Sequence, residues 1–404
     1  MIPLAEAQSH VVGLVKPLPP AECDISRAAG LVVAEAVVAR EAVPPFTNSA
    51  MDGYAVRAAD TEGATEEIPA RLFVAGEVAA GAVPAGDVPP AGAVRIMTGA
   101  PIPPGADAVV MVERTRPDGD HVLVTAPAEE GDHIRLAGDD VRPGQEVAAP
   151  GEQLSPARLA LLVSVGCTTV SCHPRPRVGV LSTGDELVDP GGALGPGQIR
   201  DSNRPMLRAI VEEAGFAAVD LGHVGDDDAA LVGHLEGAAG QCDAVITSGG
   251  VSVGAYDVVR HVLERDGDVR WMQIAIKPAK PFLFGFLDGL PVFGLPGNPV
   301  SSAVSFELLA RPALRRMAGH PEDALHSPRR RAVTDVDLPR HRDGKTHFVR
   351  VVAAEADDGR LHVHRSAGGQ GSHQISGLAH ATALAVVPDG DGRAAGEELE
   401  VIVL

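Results

Sequence analysis

Between Pro176 and Gly319 one pattern recurs three times, and it restricts the fold more than any other feature of the chain. A short apolar run enters a loop of small and polar residues, and helix-forming sequence follows the first and third loops. Val178-Gly179-Val180-Leu181 enters S-T-G-D-E-L, Ala244-Val245-Ile246-Thr247 enters S-G-G-V-S-V-G, and Val292-Phe293-Gly294 enters L-P-G-N-P. Met206, Leu207, Ile210, Val211 and Ala214 recur at helical spacing, with Gly215 as the stop. A further helix is expected from about Val300 to Met317, kinked at Pro312. Strands that alternate with helices imply a parallel sheet, whose ligands sit at the carboxyl ends of its strands. All three loops fall at such ends.

The flanking sequence has a different texture, and 404 residues suggest two to four domains. Residues 1–43 are rich in Ala, Val and Leu at helical spacing, and Ser155-Pro156 opens a second helix reaching Val165. Between about 46 and 140, short apolar runs such as Arg71–Val74 and Ala108–Val112 are punctuated by Pro and Gly, which predicts an all-β insertion. The helical stretches on either side then belong to one interrupted domain. From about 328 the β texture returns, with His347–Val352 and Leu361–His364 around the turn Asp357-Asp358-Gly359, consistent with a small β-barrel.

Charge and composition exclude several functions. A formal net charge of −20 argues against nucleic acid or an anionic membrane as partner, because both are bound through basic surface. A local basic pocket still works, since exposed charges are screened beyond ~8 Å at physiological salt. Cys23, Cys167, Cys172 and Cys242 form no C-x-x-C pair and have no zinc-like spacing to histidine, so reduced thiols in a cytoplasmic protein are expected. The N-terminus carries Glu6 and no basic segment, unlike a signal peptide, and no uncharged apolar run approaches ~20 residues.

Lysine is the most informative count. Of 34 Lys plus Arg only four are Lys, and Lys277 and Lys280 stand three apart in I-K-P-A-K-P. Two ammonium groups on a stiff loop make a compact oxyanion site, although spacing alone fits a solvated loop equally well. The glycines of S-G-G-V-S-V-G allow backbone N–H groups to approach a phosphate, but G-G after a strand is often only a tight turn. Carboxylates at Asp185, Glu186, Asp201, Asp226 to Asp228 and Asp257 lie in expected loops of the same sheet, with Asp52, Asp139 and Asp140 outside it. Hard oxygen donors of this kind suit Mg²⁺ together with phosphate. Pro44-Pro45-Phe46-Thr47-Asn48-Ser49-Ala50-Met51-Asp52-Gly53-Tyr54 reads on its own as a surface turn.

Read in order, N-S-A-M-D-G-Y-A, R-I-M-T-G-A-P, G-D-D, S-T-G-D-E-L, D-S-N, S-G-G-V-S-V-G, I-K-P-A-K-P, G-L-P-G-N-P-V-S and G-Q-G-S-H resemble the MoeA-type molybdopterin molybdenumtransferases over essentially the whole chain. The resemblance implies an α/β multidomain architecture. It would comprise an interrupted elongated helical domain (1–43 with 141–175), a β insertion (44–140), a doubly wound parallel α/β domain (176–319) and a C-terminal β-barrel (320–404). It implies a homodimer with a cleft between protomers, acting on the small molecules molybdate and adenylylated molybdopterin and releasing AMP with Mg²⁺. A molybdopterin adenylyltransferase and downstream molybdoenzymes are its implied partners. Carried over residue by residue, Asp52, Thr98, Asp140, Glu186 and Asp257 would be catalytic, with Glu186 and Asp257 on the metal. Asp201, Asn203, Asp226, Gly249, Gly250, Ser252, Pro296 and Pro299 would hold the pterin substrate, and Lys277, Lys280, Ser301, Arg350 and Ser372 the molybdate. Gln273 stands where some members carry a basic residue, and Ala279 replaces the usual glycine between the lysines. Two rival readings are an adenylyltransferase sharing the doubly wound domain, which typically has G-G-T-G where this chain has Gly249-Gly250-Val251-Ser252, and a dimeric anchoring scaffold of the same fold.

Overall fold

The computed structural model describes residues 1–251 and 258–404. Its centre is a six-stranded sheet ordered Ala217–Val224, Arg177–Thr183, Ala244–Ser248, Leu290–Leu295, Pro281–Leu287 and Asp268–Gln273. The first four strands run parallel, and the last two close the sheet antiparallel. Every residue of Ala244–Ser248 and of Leu290–Leu295 is buried, as strands covered on both faces require. From Arg177–Thr183 the chain moves to one neighbour, Ala217–Val224, and then returns to the other, Ala244–Ser248. That reversal opens a crevice at the carboxyl ends of the two strands.

The expected helix over 300–317 forms, but Pro312 is not what breaks its regularity. A π-helical turn, Phe306–Ala310, lies between the segments Pro299–Ser305 and Arg311–Met317, and Pro312 sits in the first turn of the latter. A wide turn exposes backbone carbonyls, and Gln8 Nε2 donates to the carbonyl of Leu308 at 2.9 Å.

Residues 1–43 depart from their helical spacing. Only Leu4–Leu14 is α-helical, and it buries Ala7 and Val11 in the core of the central domain beside Ala313 and Leu314. Ile2 also bridges Ile274 at the edge of that domain. Beyond Val15 the chain forms short strands, with Ala21–Asp24 paired to Thr169–His173 and Val37–Val38 to Glu146–Ala148. Their partners lie more than a hundred residues away, so pairing overrides local propensity. One core holds these segments together, including Val33, Val147, Leu154, Leu162 and Val170. The helix at 156–164 does form, capped by Ser155, whose hydroxyl accepts from Arg158 N.

The insertion is a six-stranded sheet, entered and left through paired backbone: Val43 N donates to the carbonyl of Val141, and Asp140 N to that of Val43. The C-terminal strands close a five-stranded barrel, Thr346–Glu355 pairing with both Leu361–Arg365 and Ala383–Val387. A sixth strand joins it from outside: Ile276–Lys277, leaving the central domain, pairs parallel with Thr346–His347. No described helix is long and apolar enough to cross a membrane.

Candidate active site

A cleft of about 990 Å³ opens at the switch point of the sheet and is walled on its far side by the barrel. All three loops quoted from the sequence contribute to it. Its head is built from Thr183, Gly249 and Gly250. A Cβ on Gly249 would lie 2.7 Å from the Thr183 carbonyl oxygen, and one on Gly250 2.8 Å from Val259 Cγ2. Only glycine therefore lets this backbone pass so close to the neighbouring strand and to the helix Val258–Asp266. Trp271 Nε1 donates to the Val251 carbonyl at 2.8 Å, fixing the backbone just after the two glycines, and the Arg260 guanidinium sits 4.5 Å over the Trp271 ring. The Thr183 hydroxyl is buried, with no hydrogen-bond partner among the described residues.

Asn203 fixes the adjoining corner. Its Nδ2 donates to Ser248 Oγ at 2.7 Å and to the Gly297 carbonyl at 2.6 Å, which sets the orientation of the amide. Its Oδ1 is then a buried acceptor with no described partner. A ligand that donates a hydrogen bond there would relieve the cost of burying that oxygen unpaired. Asp201 also lines the cleft, but its carboxylate is buried and committed: Oδ1 accepts from Arg204 N and Oδ2 from Arg204 Nε, both at 3.1 Å. Pro296 and Pro299 frame the same corner.

Lys277 and Lys280 stand exposed on one wall. Between them Ala279 adopts φ +72° and is buried, so the methyl group is accommodated in a backbone state that glycine favours. Ser301 and Ser372 line the same cleft, and Asn298 Nδ2 donates to Ser372 Oγ at 3.1 Å, tying the L-P-G-N-P loop to the barrel. Arg350 lies elsewhere. It is 1 % exposed and does not line the cleft, and its Nη2 donates to the carbonyls of Gly369 (2.7 Å) and Gly371 (3.2 Å). These bonds make its side chain a support of the loop that carries Ser372. Gln273, at the end of a strand opposite Pro281, is also outside the cleft lining.

Glu186 and Asp226 bring carboxylates to the cleft. Ser252 and Asp257 lie outside the described residues. Among the described residues no group of three or more His, Cys, Asp or Glu side chains is gathered for a metal ion. A site that keeps several waters and a phosphate needs only one or two carboxylates, so Glu186 fits as a single hard donor. Asp52, Thr98 and Asp140 are not part of this cleft; they lie on the exposed surface of the insertion and its boundary. Asp52 is nevertheless built to be presented. Its Oδ1 accepts from Thr98 N at 2.7 Å and from Thr98 Oγ1 at 2.8 Å, and these bonds hold its pKa below the ordinary aspartate value.

The barrel wall brings residues that motif reading passed over. Arg340, Asp343, Lys345 and His347 all line the cleft. The register sets Lys277 beside His347 across the seam between the two domains. Desolvation is the main cause that lowers the His347 pKa, and the charges of Arg340 and Lys277 add to it, against the Asp343 carboxylate. The low lysine count could have pointed to Lys345, because three of the four lysines line this one cleft.

Comparison with known proteins agrees with this architecture. Residues 179–316 match the family described as a probable molybdopterin binding domain, so the doubly wound core is of the molybdopterin-binding class. Residues 2–166 match the MoeA N-terminal region (domain I and II), and 331–404 the MoeA C-terminal region (domain IV). Molybdopterin molybdenumtransferase 2 of Mycobacterium tuberculosis (strain H37Rv) is 42% identical over 403 residues, covering 98% of each chain. The Haemophilus influenzae molybdopterin molybdenumtransferase is 38% identical over 404 residues, covering 99% of this chain and 98% of that one. A crystal structure of a molybdopterin biosynthesis MoeA protein from Pyrococcus horikoshii superposes with a TM-score of 0.81 at 33% identity, over 100% of this chain and 99% of that one. The chain belongs to the MoeA family of molybdopterin molybdenumtransferases.

Proposed function

We propose that this cleft is where molybdate is inserted into adenylylated molybdopterin, with AMP leaving. The chain is an enzyme of molybdenum-cofactor biosynthesis, and the homologues' names do not favour an adenylyltransferase or a scaffold. One observation carries the assignment of the site: Lys277, Lys280, Ser301 and Ser372 share a single cleft with the Gly249-Gly250 turn and Glu186.

In this reading the ammonium groups and hydroxyls hold a tetrahedral dianion, and the glycine turn seats the phosphate groups of the pterin substrate. Asn203 Oδ1 accepts a hydrogen bond from the substrate, and Asp226 stands at the rim. When bound, Mg²⁺ would neutralise charge on the phosphate that leaves. Glu186 would hold it, with Asp257 its expected second ligand.

Asp52, Thr98 and Asp140 complete the site from a second copy of the chain. An exposed carboxylate fixed by two hydrogen bonds supports that role, because nothing in its own protomer's cleft uses it. The functional unit is then a cytoplasmic homodimer. Its protomer divides into 1–43 with 141–175, 44–140, 176–319 and 320–404, except that the N-terminal helix packs on the central domain. Purified protein incubated with adenylylated molybdopterin, Mg²⁺ and molybdate should release AMP only when all three are present. No molybdate-dependent AMP would refute the reading.

A further inference from the structure

We infer that Lys345, on a barrel-wall loop anchored by Arg340, is a third ammonium contact for a tetrahedral oxyanion in the cleft. The inference rests on the reading of the cleft given above and adds a residue from a different domain. It starts from composition: in a chain of formal charge −20 with four lysines, Lys277, Lys280 and Lys345 all line one cavity.

The loop carrying Lys345 is built rather than draped. Arg340, its side chain 2 % exposed, donates from Nη1 to the carbonyls of Lys345 (2.7 Å), Val387 (3.0 Å) and Pro388 (2.8 Å). From Nη2 it donates to Asp343 at 2.8 Å and Asp389 at 2.6 Å. The loop is also pinned to the lysine wall, since Thr346 N donates to the Ala275 carbonyl at 2.9 Å next to the Lys277–His347 pairing. Lys345 is thus held at a fixed place relative to Lys277, although the two lie in different domains.

Asp343 does not use up the ammonium group. Its Oδ1 is taken by Arg340, and its Oδ2 is shared between His347 Nε2 at 3.1 Å and Lys345 Nζ at 3.3 Å. A charge-assisted N–H···O bond is normally ~2.7–2.9 Å, so the lysine is aimed but loosely held. An ammonium has three donors, and only one is spent here. The two carboxylates paired with Arg340, Asp343 and Asp389, balance Arg340 and Lys345. The excess positive charge of Lys277 and Lys280 therefore remains available to an anion.

The oxyanion has two possible sources, molybdate itself or a phosphate group of the pterin substrate, and titration separates them. Full-length protein is titrated calorimetrically with sodium molybdate and, separately, with sodium pyrophosphate. Lys345→Gln is expected to weaken one or both by about ten-fold, the loss of a charge-assisted hydrogen bond, while Lys345→Arg retains most of the affinity. Weakening in the molybdate arm alone assigns the contact to the metal oxyanion, and in the pyrophosphate arm alone to the phosphate. If both affinities stay within about two-fold of wild type in Lys345→Gln, while Lys280→Gln weakens molybdate binding, the inference fails and the cleft reading stands. If Lys280→Gln also changes nothing, the cleft reading itself fails. Should Lys345→Gln unfold, Asp343→Asn decides. Removing the carboxylate that competes for the ammonium should tighten anion binding, and weaker or unchanged binding overturns the inference.

Discussion

Alanine at Gly249 tests whether the head of the cleft depends on a close approach of backbone. The residue has φ +103°, and a Cβ there would sit 2.7 Å from the Thr183 carbonyl oxygen and 2.9 Å from Thr183 Oγ1. The hydroxyl can rotate, but the carbonyl belongs to a strand paired on both sides, to Val224 through Thr183 and to Ser248 through Ser182. Ordinary contact begins at 3.4 Å, so roughly 0.7 Å must be found by moving the loop or the sheet. Backbone strain of about 1–3 kcal/mol and overpacking of about 1–3 kcal/mol give an upper bound near 6 kcal/mol. Displacement of the loop would lower that figure at the expense of the site. Gly240 separates the two costs, because its φ is +86° and a Cβ there meets nothing within 4 Å. Gly240→Ala should lower the thermal midpoint slightly and leave binding of adenylylated molybdopterin unchanged. Gly249→Ala should lower it further, by about 2–4 °C for each additional kcal/mol, and weaken binding at least ten-fold. Equal midpoints and unchanged binding in the two variants would refute the account of the turn as a phosphate seat.

Other outcomes follow from the same geometry. Lys280→Ala should raise the molybdate concentration for half activity ten- to hundred-fold, the effect of about 1.5–3 kcal/mol, with little change in melting temperature. Arg350→Ala should lower molybdate affinity and melting temperature together, because the part-buried carbonyls of Gly369 and Gly371 lose their donor at about 1–3 kcal/mol each; loss of molybdate affinity with no loss of stability would instead argue for direct contact. Asp52→Ala and Glu186→Ala should each abolish AMP release, and mixing the two inactive proteins should restore part of it if the site is shared between protomers. If subunit exchange is demonstrated and no activity returns, Asp52 is misassigned. Burial, with the nearby Arg315 charge, pushes His320 down to about 4, and the same direction holds for His326 and His347. Below an unfolded value of about 6.5 the unfolded chain binds protons that the native state refuses. Stability should therefore be full above pH 6.5 and fall as the pH drops toward 4. His320→Gln should flatten that slope in urea titrations across the range, and an unchanged slope would remove His320 as a contributor.

What could be read directly from the chain was set by local chemistry. The strands at 177–183, 244–248 and 290–295 carry short apolar runs because both faces are covered, and each ends in a loop whose glycine or proline marks the turn. The residues from Ala21 to Val38 misled because their Ala and Val spacing satisfies a helix, while their partners at Glu146–Ala148 and Thr169–His173 cannot be seen locally. The face of Arg350 follows from a period of two. In the strand Thr346–Glu355 it falls on the face of Phe348, opposite the barrel-core residues Val349 and Val351, and what takes its guanidinium, the carbonyls of Gly369 and Gly371, comes from a distant loop. Lys345 was hidden in R-H-R-D-G-K-T, which reads as a solvated turn. It reaches the site only because Ile276–Lys277 crosses from one domain to pair with the other. Asp52 and Thr98 show no local sign of a cleft, and the place proposed for them would need a second copy of the chain.

The two kinds of cation divide the work in a way their chemistry explains. Arginine builds frames here: Arg340 gathers three carbonyls and two carboxylates, Arg350 holds two glycine carbonyls, and Arg204 joins Asp189, Asp201 and Asp220 around the entry to a helix. A planar fork with five donors suits several fixed acceptors at once, and its charge survives burial. In the proposed site the anion-facing positions fall to lysine, whose compact, strongly hydrated charge can turn its three donors toward an anion that arrives from water. An arginine at Lys277 or Lys280 would carry the same charge but present a larger planar head, one made for two oxygens in a plane rather than for a tetrahedron. With acidic groups dominating the rest of the surface, attraction is confined to within roughly a Debye length, ~8 Å, of those ammonium groups. On the function proposed above, a small oxyanion would be drawn to these lysines and not spread along the protein, while the carboxylates of Glu186 and Asp226, lining the same cleft, would suit a cation.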